Sequence, residues 1–302
     1  MRKIARVLHR SVSTISDEVR RNQVRGKYDA KKAQHKAYVR RKYARHQGMK
    51  IVGNSALQDF VEEHLYDDQS PVAIAKRVQR KAKHLPAVSK NSIYRYIASP
   101  YGRRIEIARK KKRHKHRRRV PHLKLQGTRK SIDERPAAIN ARSRTGDSEM
   151  DFIVSGKSGH GILFVVVDRK HRTTFVEQIL KPTTIAVERA ALKIQKRYPE
   201  WQTSTTDNDI LFQHHAELEQ KLQITIYFCH AYHSWEKGTV ENANKIIRRD
   251  IPKSSDISKY SKQFIRRLEE KLNRRFMDVL GSSTPMESLR RYRQRKKRQK
   301  RS

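Results

Sequence analysis

Residues 162–180, ILFVVVDRKHRTTFVEQIL, hold two apolar runs of strand length. ILFVVVD (162–168) is short and continuous, and RTTFVEQIL (172–180) alternates β-branched and aromatic residues with polar ones. Just upstream, EMDFIVS (149–155) supplies a first core strand starting near Asp151, and the composition changes after about residue 147. Downstream the pattern predicts a helix over about 184–197 and a strand over WQTSTTD (201–207). A helix carrying Leu211, Phe212, Leu218 and Leu222, a strand ITIYF (224–228) and a helix over SWEKGTVENANKIIRR (234–249) follow. That last helix turns Val240, Ala243 and Ile247 inward, and one more is expected at about 260–275. Three early strands and then alternating helix and strand indicate an α/β sheet packed between helices.

The N-terminal half has a different grain. In RKIARVLHRSVSTISDEVRRN (2–22), Ile4, Ala5 and Leu8 have helical spacing. Ser13 is placed to cap a second helix that buries Ile15 and Val19. The pair makes a helix-turn-helix whose outer face shows Thr14, Ser16, Asp17, Arg20 and Arg21, with Ser13 at its start counted among the DNA contacts. Residues 51–97 repeat the logic: a helix with Leu57, Phe60, Val61 and Leu65, then Ser70 capping and Pro71 opening VAIAKRVQR, then Ser89 opening KNSIYRYIA with Ile93, Tyr94 and Ile97 at helical spacing. The second recognition face would show Ser89, Lys90, Asn91, Tyr94 and Arg95. The expected order is therefore a helix-turn-helix with a basic arm over 1–48, a second one over 49–100, a basic linker over 101–140, the α/β core over 141–290 and a basic tail over 291–302.

Seventy-one Lys and Arg against thirty Asp and Glu give a formal net charge of +41. A polyanion partner is the simplest reason to tolerate such self-repulsion, and nucleic acid gains most from it by counterion release. RKKKRHKHRRR (109–119) and RRYRQRKKRQKRS (290–302) read as segments that bind phosphate without reading sequence. No 18-residue apolar stretch suggests a membrane partner. Cys229, the one cysteine, excludes an intrachain disulfide and any multi-cysteine zinc site, and fits a reducing compartment.

Three acids stand where rigid elements would hold them: Asp151 on the first strand, Asp207 at the end of TSTTD, and Glu241 on the late helix opposite its apolar face, beside Asn244, Lys245 and Arg248. Carboxylates gathered in this way suit hard divalent cations, and a pair of ions can activate one oxygen and stabilise another. Each acid also has an ordinary reading: Asp207 as a helix cap, Glu241 as an exposed helical residue, Asp151 as an arginine partner. Asp147, Glu149, Asp168 and Asp209 lie close by as rivals. The histidines 214, 215, 230 and 233 flank the acids without a zinc-enzyme spacing such as His-Glu-x-x-His, and read as phosphate contacts or donors at the core edge.

The chain resembles the bacterial insertion-sequence transposases of the IS-thirty group, members of the Asp-Asp-Glu class on an RNase H-like fold. IARVLHRSVSTISDEVRRN (4–22), SPVAIAKRV (70–78) and SKNSIYRYI (89–97) look like the family's DNA-binding motifs. GDSEMDFI (146–153), VVVDRKHRTTFVEQI (165–179), STTDND (204–209) and above all AYHSWEKGTVENANKIIRRDIPK (231–253) match its core, Trp235, Gly238 and Asn242 included. The 33 residues between Asp207 and Glu241 agree with the family spacing. Asp209 where the family has Gly, Ser148 near the place of a family Trp, and NRRF (273–276) in place of Asn-Arg-Pro depart from the pattern. So does a first helical module that starts without its first helix.

The resemblance implies that Asp151, Asp207 and Glu241 bind Mg²⁺ or Mn²⁺, as two ions. It implies strand cleavage at terminal inverted repeats of double-stranded DNA, strand transfer into target DNA, a homodimer or higher multimer, and a cytoplasmic location at the bacterial nucleoid. Helix geometry adds Lys245 and Arg248, one and two turns beyond Glu241, as contacts to the bound strand. The alternative is a catalytically inactive, transposase-derived repressor, which would be marked by a damaged triad. A retroviral-type integrase would carry a His-His-Cys-Cys module ahead of the core, which Cys229 alone cannot supply.

Overall fold

The computed structural model describes residues 1–43, 49–111, 129–156, 159–230 and 233–299. The first helical unit comprises α1 (Arg2–Val7), α2 (Val12–Asn22) and α3 (Ala30–Tyr43). The cap of α2 is Ser11, not Ser13: Ser11 Oγ accepts from Thr14 N at 3.1 Å, which draws the helix start back and leaves Ser13 in its first turn. Ala5 and Ile15 are buried, whereas Ile4, Val7, Leu8 and Val12 are exposed. The segment expected as a basic arm contains α3, seated by Ala33 and by Arg40, which donates to Asn22 Oδ1.

The second unit comprises α4 (Met49–Val52), α5 (Ser55–Tyr66), α6 (Pro71–Arg80), α7 (Lys90–Ala98) and α8 (Arg103–Lys111). Asn54, Ser70 and Ser89 cap α5, α6 and α7, with Pro71 in the first turn of α6. Ile51, Leu57, Val61, Leu65, Ile74, Val78, Ile93 and Tyr96 form its core, and Ile105 of α8 closes it. The unit therefore runs past residue 100, because Ile105 needs that core. The run 109–119 lies outside the described residues from 112 onward.

The third unit begins with a 3₁₀ turn (Ile132–Glu134) and α9 (Ala137–Asn140), which bury Ile132 and Ile139. Its strands are β1 (Asp147–Val154), β2 (Ile162–Asp168), β3 (Thr174–Ile179), β4 (Thr203–Thr206) and β5 (Thr225–Phe228), in the order β3-β2-β1-β4-β5. The first three pair antiparallel, and β4 and β5 extend the sheet in parallel from β1. Helices α10 (Thr184–Arg197) and α11 (His215–Leu222) cover one face, over Met150, Phe152, Phe164 and Val166. Helices α12 (Gly238–Asp250) and α13 (Lys262–Asn273) cover the other, over Ile153, Leu163, Val165 and Val167. A mixed five-stranded sheet between two helical layers is the RNase H-like core. Strand β2 is buried along its whole length, and each such Val or Phe contributes about 1.5–3 kcal/mol relative to exposure.

Two expectations shift. Asp151 is the fifth residue of β1, not its start, because the strand already pairs with β2 and β4 from Ser148 and Asp147. The basic tail does not begin at 291: α14 (Pro285–Gln299) runs through that point, with Leu289 in the core and Arg293 paired to Glu200 at 2.8 Å.

The second helical unit docks on the end of the core. Arg77 of α6 makes a two-pronged pair with Glu287 at 2.6 and 2.8 Å. Lys76 and Arg80 reach Asp278, Lys271 reaches Asp68, and Phe60 stacks on Phe276. These contacts turn α6 toward the core and leave the outer face of α7 free.

Candidate active site

Alternation along β1 puts Glu149, Asp151 and Ile153 on the face covered by α12, and Met150 and Phe152 on the other. Glu149 is fully buried. Its Oε2 accepts from the amides of Thr239 and Val240 at 2.7 and 2.9 Å, and its Oε1 from Arg169 at 2.7 Å. A carboxylate on the exposed amides of a helix N-terminus is favoured by charge and by hydrogen bonding alike. The first turn of α12 is thereby fastened beside Asp151.

Lys237, the residue before α12, is 5% exposed and lies between two of the expected acids, with Nζ 3.2 Å from Asp151 Oδ1 and 2.8 Å from Asp207 Oδ2. Asn244 Nδ2 donates to Asp151 Oδ2 at 2.7 Å. Burial pushes the Asp151 carboxyl up to about 6, with Asp207 adding to the rise and Lys237 opposing it. Burial also works against the Lys237 charge, but the two carboxylates outweigh it and raise its pKa. Asp207, directly after β4, is held through Lys237 and by its position beside Asn208, which accepts from Arg129 at 2.9 Å and donates to the Cys229 carbonyl at 3.1 Å.

Glu241 lies four residues after Lys237 and three before Asn244, so it shares their face of α12. Its half-buried carboxylate makes no hydrogen bond or ion pair among the described residues. The structure thus joins Asp151 and Asp207 through one cation and leaves Glu241 close in sequence register but unlinked to them. Among the described residues, ligand atoms of three potential metal-binding side chains fall within 4.8 Å of one another only at His230, His233 and Glu236.

Asp151 and Asp207 nevertheless have the chemistry to hold a divalent ion. An ammonium already balances two carboxylates there, and Asp207 Oδ1 and Asn244 Oδ1 are enclosed without a hydrogen-bond partner. The neighbouring acids are committed elsewhere. Asp147 pairs with Arg144, Asp168 accepts from Tyr198, and Asp209 caps a 3₁₀ turn through Leu211 N at 2.9 Å. Burial pushes the Cys229 thiol up to about 12, which keeps it protonated and unreactive.

The expected DNA-contacting residues fall in three places. On α7, Ser89 Oγ caps Ser92 N at 3.1 Å, while Lys90, Asn91, Tyr94 and Arg95 face outward. Ile93 and Tyr96 anchor the helix, and Tyr96 donates to Glu62. Tyr94 is therefore an outward residue, and the inward tyrosine is Tyr96. On α2, Ser13, Thr14, Ser16, Arg20 and Arg21 are exposed. On α12, Lys245 is exposed, but Arg248 donates to the carbonyls of Val154 at 2.7 Å and Pro252 at 3.3 Å and so braces the helix end against the sheet.

Lys237 and the Glu149–Arg169 pair were not singled out by sequence reasoning. The available signal was strand alternation, which gives Glu149 and Asp151 a common face, and helical spacing, which groups residues 237, 241 and 244.

No protein-family model matches the chain. It is 33% identical over 292 residues to the transposase for insertion sequence element IS4351 of Bacteroides fragilis, covering 94% of this chain and 88% of that protein. The transposase for IS1086 of Cupriavidus metallidurans is 29% identical, covering 96% and 88%. Transposase InsI for IS30A of Escherichia coli K12 is 29% identical, covering 96% and 79%. Among solved structures, the catalytic core domain of BIV integrase overlies 50% of this chain and 99% of its own at 19% identity, with a TM-score of 0.39.

Proposed function

The chain belongs to the insertion-sequence transposases of the IS30 family, and from that premise we propose that Asp151, Asp207 and Glu241 are the metal-holding triad of its strand chemistry. The protein is a DNA transposase of the Asp-Asp-Glu type. Enzymes of this type use divalent metal ions; for this chain the ions are Mg²⁺ or Mn²⁺, two of them. When bound, such ions activate an attacking oxygen and stabilise a leaving one.

The chain's own residues hold and orient. Asp151 is presented from mid-strand with Asn244 fixing one of its oxygens, Asp207 stands at the end of the adjacent strand, and Glu241 lies on the face of α12 that carries Asn244. Glu149 and Arg169 fix α12 against β1. Water cleaves the phosphodiester at the element end and frees a 3′-hydroxyl, which then attacks a phosphodiester of the target. No covalent enzyme intermediate is needed, because the carboxylates bind metal and do not attack. The outer faces of α2 and α7 recognise the terminal inverted repeats, and two ends are joined by a dimer or larger assembly.

The observation that carries this reading is the buried cation shared by Asp151 and Asp207, with Glu241 on the same helix face as Lys237 and Asn244. The test is nicking of a labelled inverted-repeat duplex in Mg²⁺ or Mn²⁺ by the intact protein and by Asp207→Asn. Metal-dependent nicking that the variant loses supports the triad. Nicking that survives in Asp207→Asn removes that residue from the chemistry, and tight binding without nicking by either protein identifies a DNA-binding repressor instead.

A further inference from the structure

The loop from β5 to α12 carries a second set of donor atoms, separate from the three acids. His230 Nδ1 lies 2.9 Å and His233 Nδ1 3.2 Å from the same oxygen, Glu236 Oε1. The three ligand-type atoms are all within 4.8 Å of one another. Zinc bonds of about 2.0–2.2 Å set neighbouring ligands of a tetrahedral ion roughly 3.3 Å apart. The two nitrogen-to-oxygen separations are already within a few tenths of an ångström of that spacing.

The surroundings hold these atoms in an orientation a metal would use. His230 Nε2 lies 2.9 Å from Asp133 Oδ2, on the turn that precedes the core. Metal-binding histidines almost always give their second ring N–H to a carboxylate or carbonyl, which fixes the tautomer and aims the other nitrogen at the ion. The second oxygen of Glu236 is likewise occupied, accepting the His230 amide at 2.9 Å, so that Oε1 is the one presented. The His233 ring stacks on Trp235 at 4.4 Å, which limits its rotation. Both imidazoles are 42% exposed, so an ion has access to them from solvent.

We infer that His230, His233 and Glu236 form a binding site for a transition-metal ion of the zinc class, with Asp133 orienting His230. Two imidazoles and one carboxylate select such an ion over Mg²⁺, which prefers oxygen ligands. An ion held here fastens the loop that ends in Lys237 to the turn at Asp133. No step of the strand chemistry is assigned to it, and the inference does not depend on the triad.

The test uses the untagged full chain with Co²⁺ as a coloured substitute for zinc, in a large excess of Mg²⁺. The expected result is about one cobalt per chain with the visible absorption of a four-coordinate ion, displaced by Zn²⁺. Affinity should fall at least tenfold in His233→Ala and in Glu236→Gln and be retained in Asp207→Asn. Circular dichroism of the metal-free variants checks that each is folded, and His233→Gln replaces the alanine variant if it is not. Absence of cobalt or zinc uptake overturns the inference. So does uptake that survives in both loop variants, or uptake that is lost only in Asp207→Asn, which would assign the ion to the acids.

Discussion

Lys237 Nζ stands 2.8 Å from Asp207 Oδ2 while the lysine side chain is 5% exposed. A buried ammonium between two carboxylates balances charge that would otherwise push the ends of β1 and β4 apart, and on the proposed reading a divalent ion would do the same. If the proposed triad holds metal, the two cations would compete for the same oxygens. Removing one partner of a buried pair costs about 3–5 kcal/mol, but Asp207 is half exposed and solvent screens part of that, so roughly 2 kcal/mol is expected. Lys237→Gln should melt about 4–8 °C lower in EDTA and gain more than the parent from added Mn²⁺. Thermal unfolding with and without Mn²⁺ measures both. An unchanged melting point in EDTA together with an unchanged Mn²⁺ increment would refute the competition.

The core was legible because its signals are local. Helix α10 spans Thr184–Arg197, as its apolar period predicts, and Ser70 and Ser89 cap as their positions before apolar runs suggest. What stayed hidden depends on pairing across the fold. The strand order, with β4 beside β1 and not beside β3, is set in that way and is not read from any one segment. Nothing local in EMDFIVS separates Glu149, which fastens α12, from Asp151, which faces Lys237; the difference is made by Arg169, Thr239 and Val240 from other elements. Ser11 and Ser13 compete for one cap on equal sequence terms, and hydroxyl-to-amide geometry decides for Ser11. The docking of α6 on residues 278–287 rests on ion pairs between segments some two hundred positions apart, beyond the reach of periodicity.

Glu149→Gln should behave as a stability variant. Arg169 is nearly as buried as Glu149, and burial already brings its guanidinium down to about 10 against the pull of that carboxylate. A glutamine keeps an acceptor for the α12 amides but leaves the Arg169 charge without its partner, at a cost of about 3 kcal/mol. Adding Arg169→Met should restore part of the loss, because no buried charge is then left alone. Denaturant titration of the single and double variants decides, and a single variant as stable as the parent would show that the pair does not anchor the helix.

Acid should loosen the seat of the second helical unit through His64. Burial holds this imidazole below its ordinary 6.5, Glu63 and Asp67 pull the other way, and Arg77 adds to the lowering. Its ring packs against Phe60 and Phe276, and its Nδ1 meets Gln69 at 3.2 Å. The fold therefore favours the neutral ring. That contribution is complete above 6.5 and is lost as the pH falls below 6.5 toward the depressed folded value. Between about pH 7.5 and about pH 5.5 the parent should lose stability more steeply than His64→Leu, as read by denaturant midpoints. Parallel slopes would place the acid sensitivity elsewhere.

The outer face of α7 should separate sequence reading from backbone attraction. Lys90 lies in the first turn beside the Ser89 cap, where a helix N-terminus and a lysine together suit a phosphate. Asn91, Tyr94 and Arg95 follow on the exposed surface, and Tyr94 is 51% exposed despite its size. An arginine that reads a base edge loses about 1–3 kcal/mol of discrimination when truncated, whereas a lysine on a phosphate reduces the salt slope by about one and weakens all sequences alike. Arg95→Ala should therefore lower affinity for the inverted repeat roughly tenfold or more and leave affinity for unrelated duplex nearly unchanged. Lys90→Ala should weaken both by a similar factor and flatten the dependence of affinity on salt. Fluorescence anisotropy on the two duplexes across a salt series measures all four quantities. Equal losses on both duplexes for Arg95→Ala would move recognition away from α7, and the exposed Thr14, Ser16, Arg20 and Arg21 of α2 would then be the surface that reads the element ends.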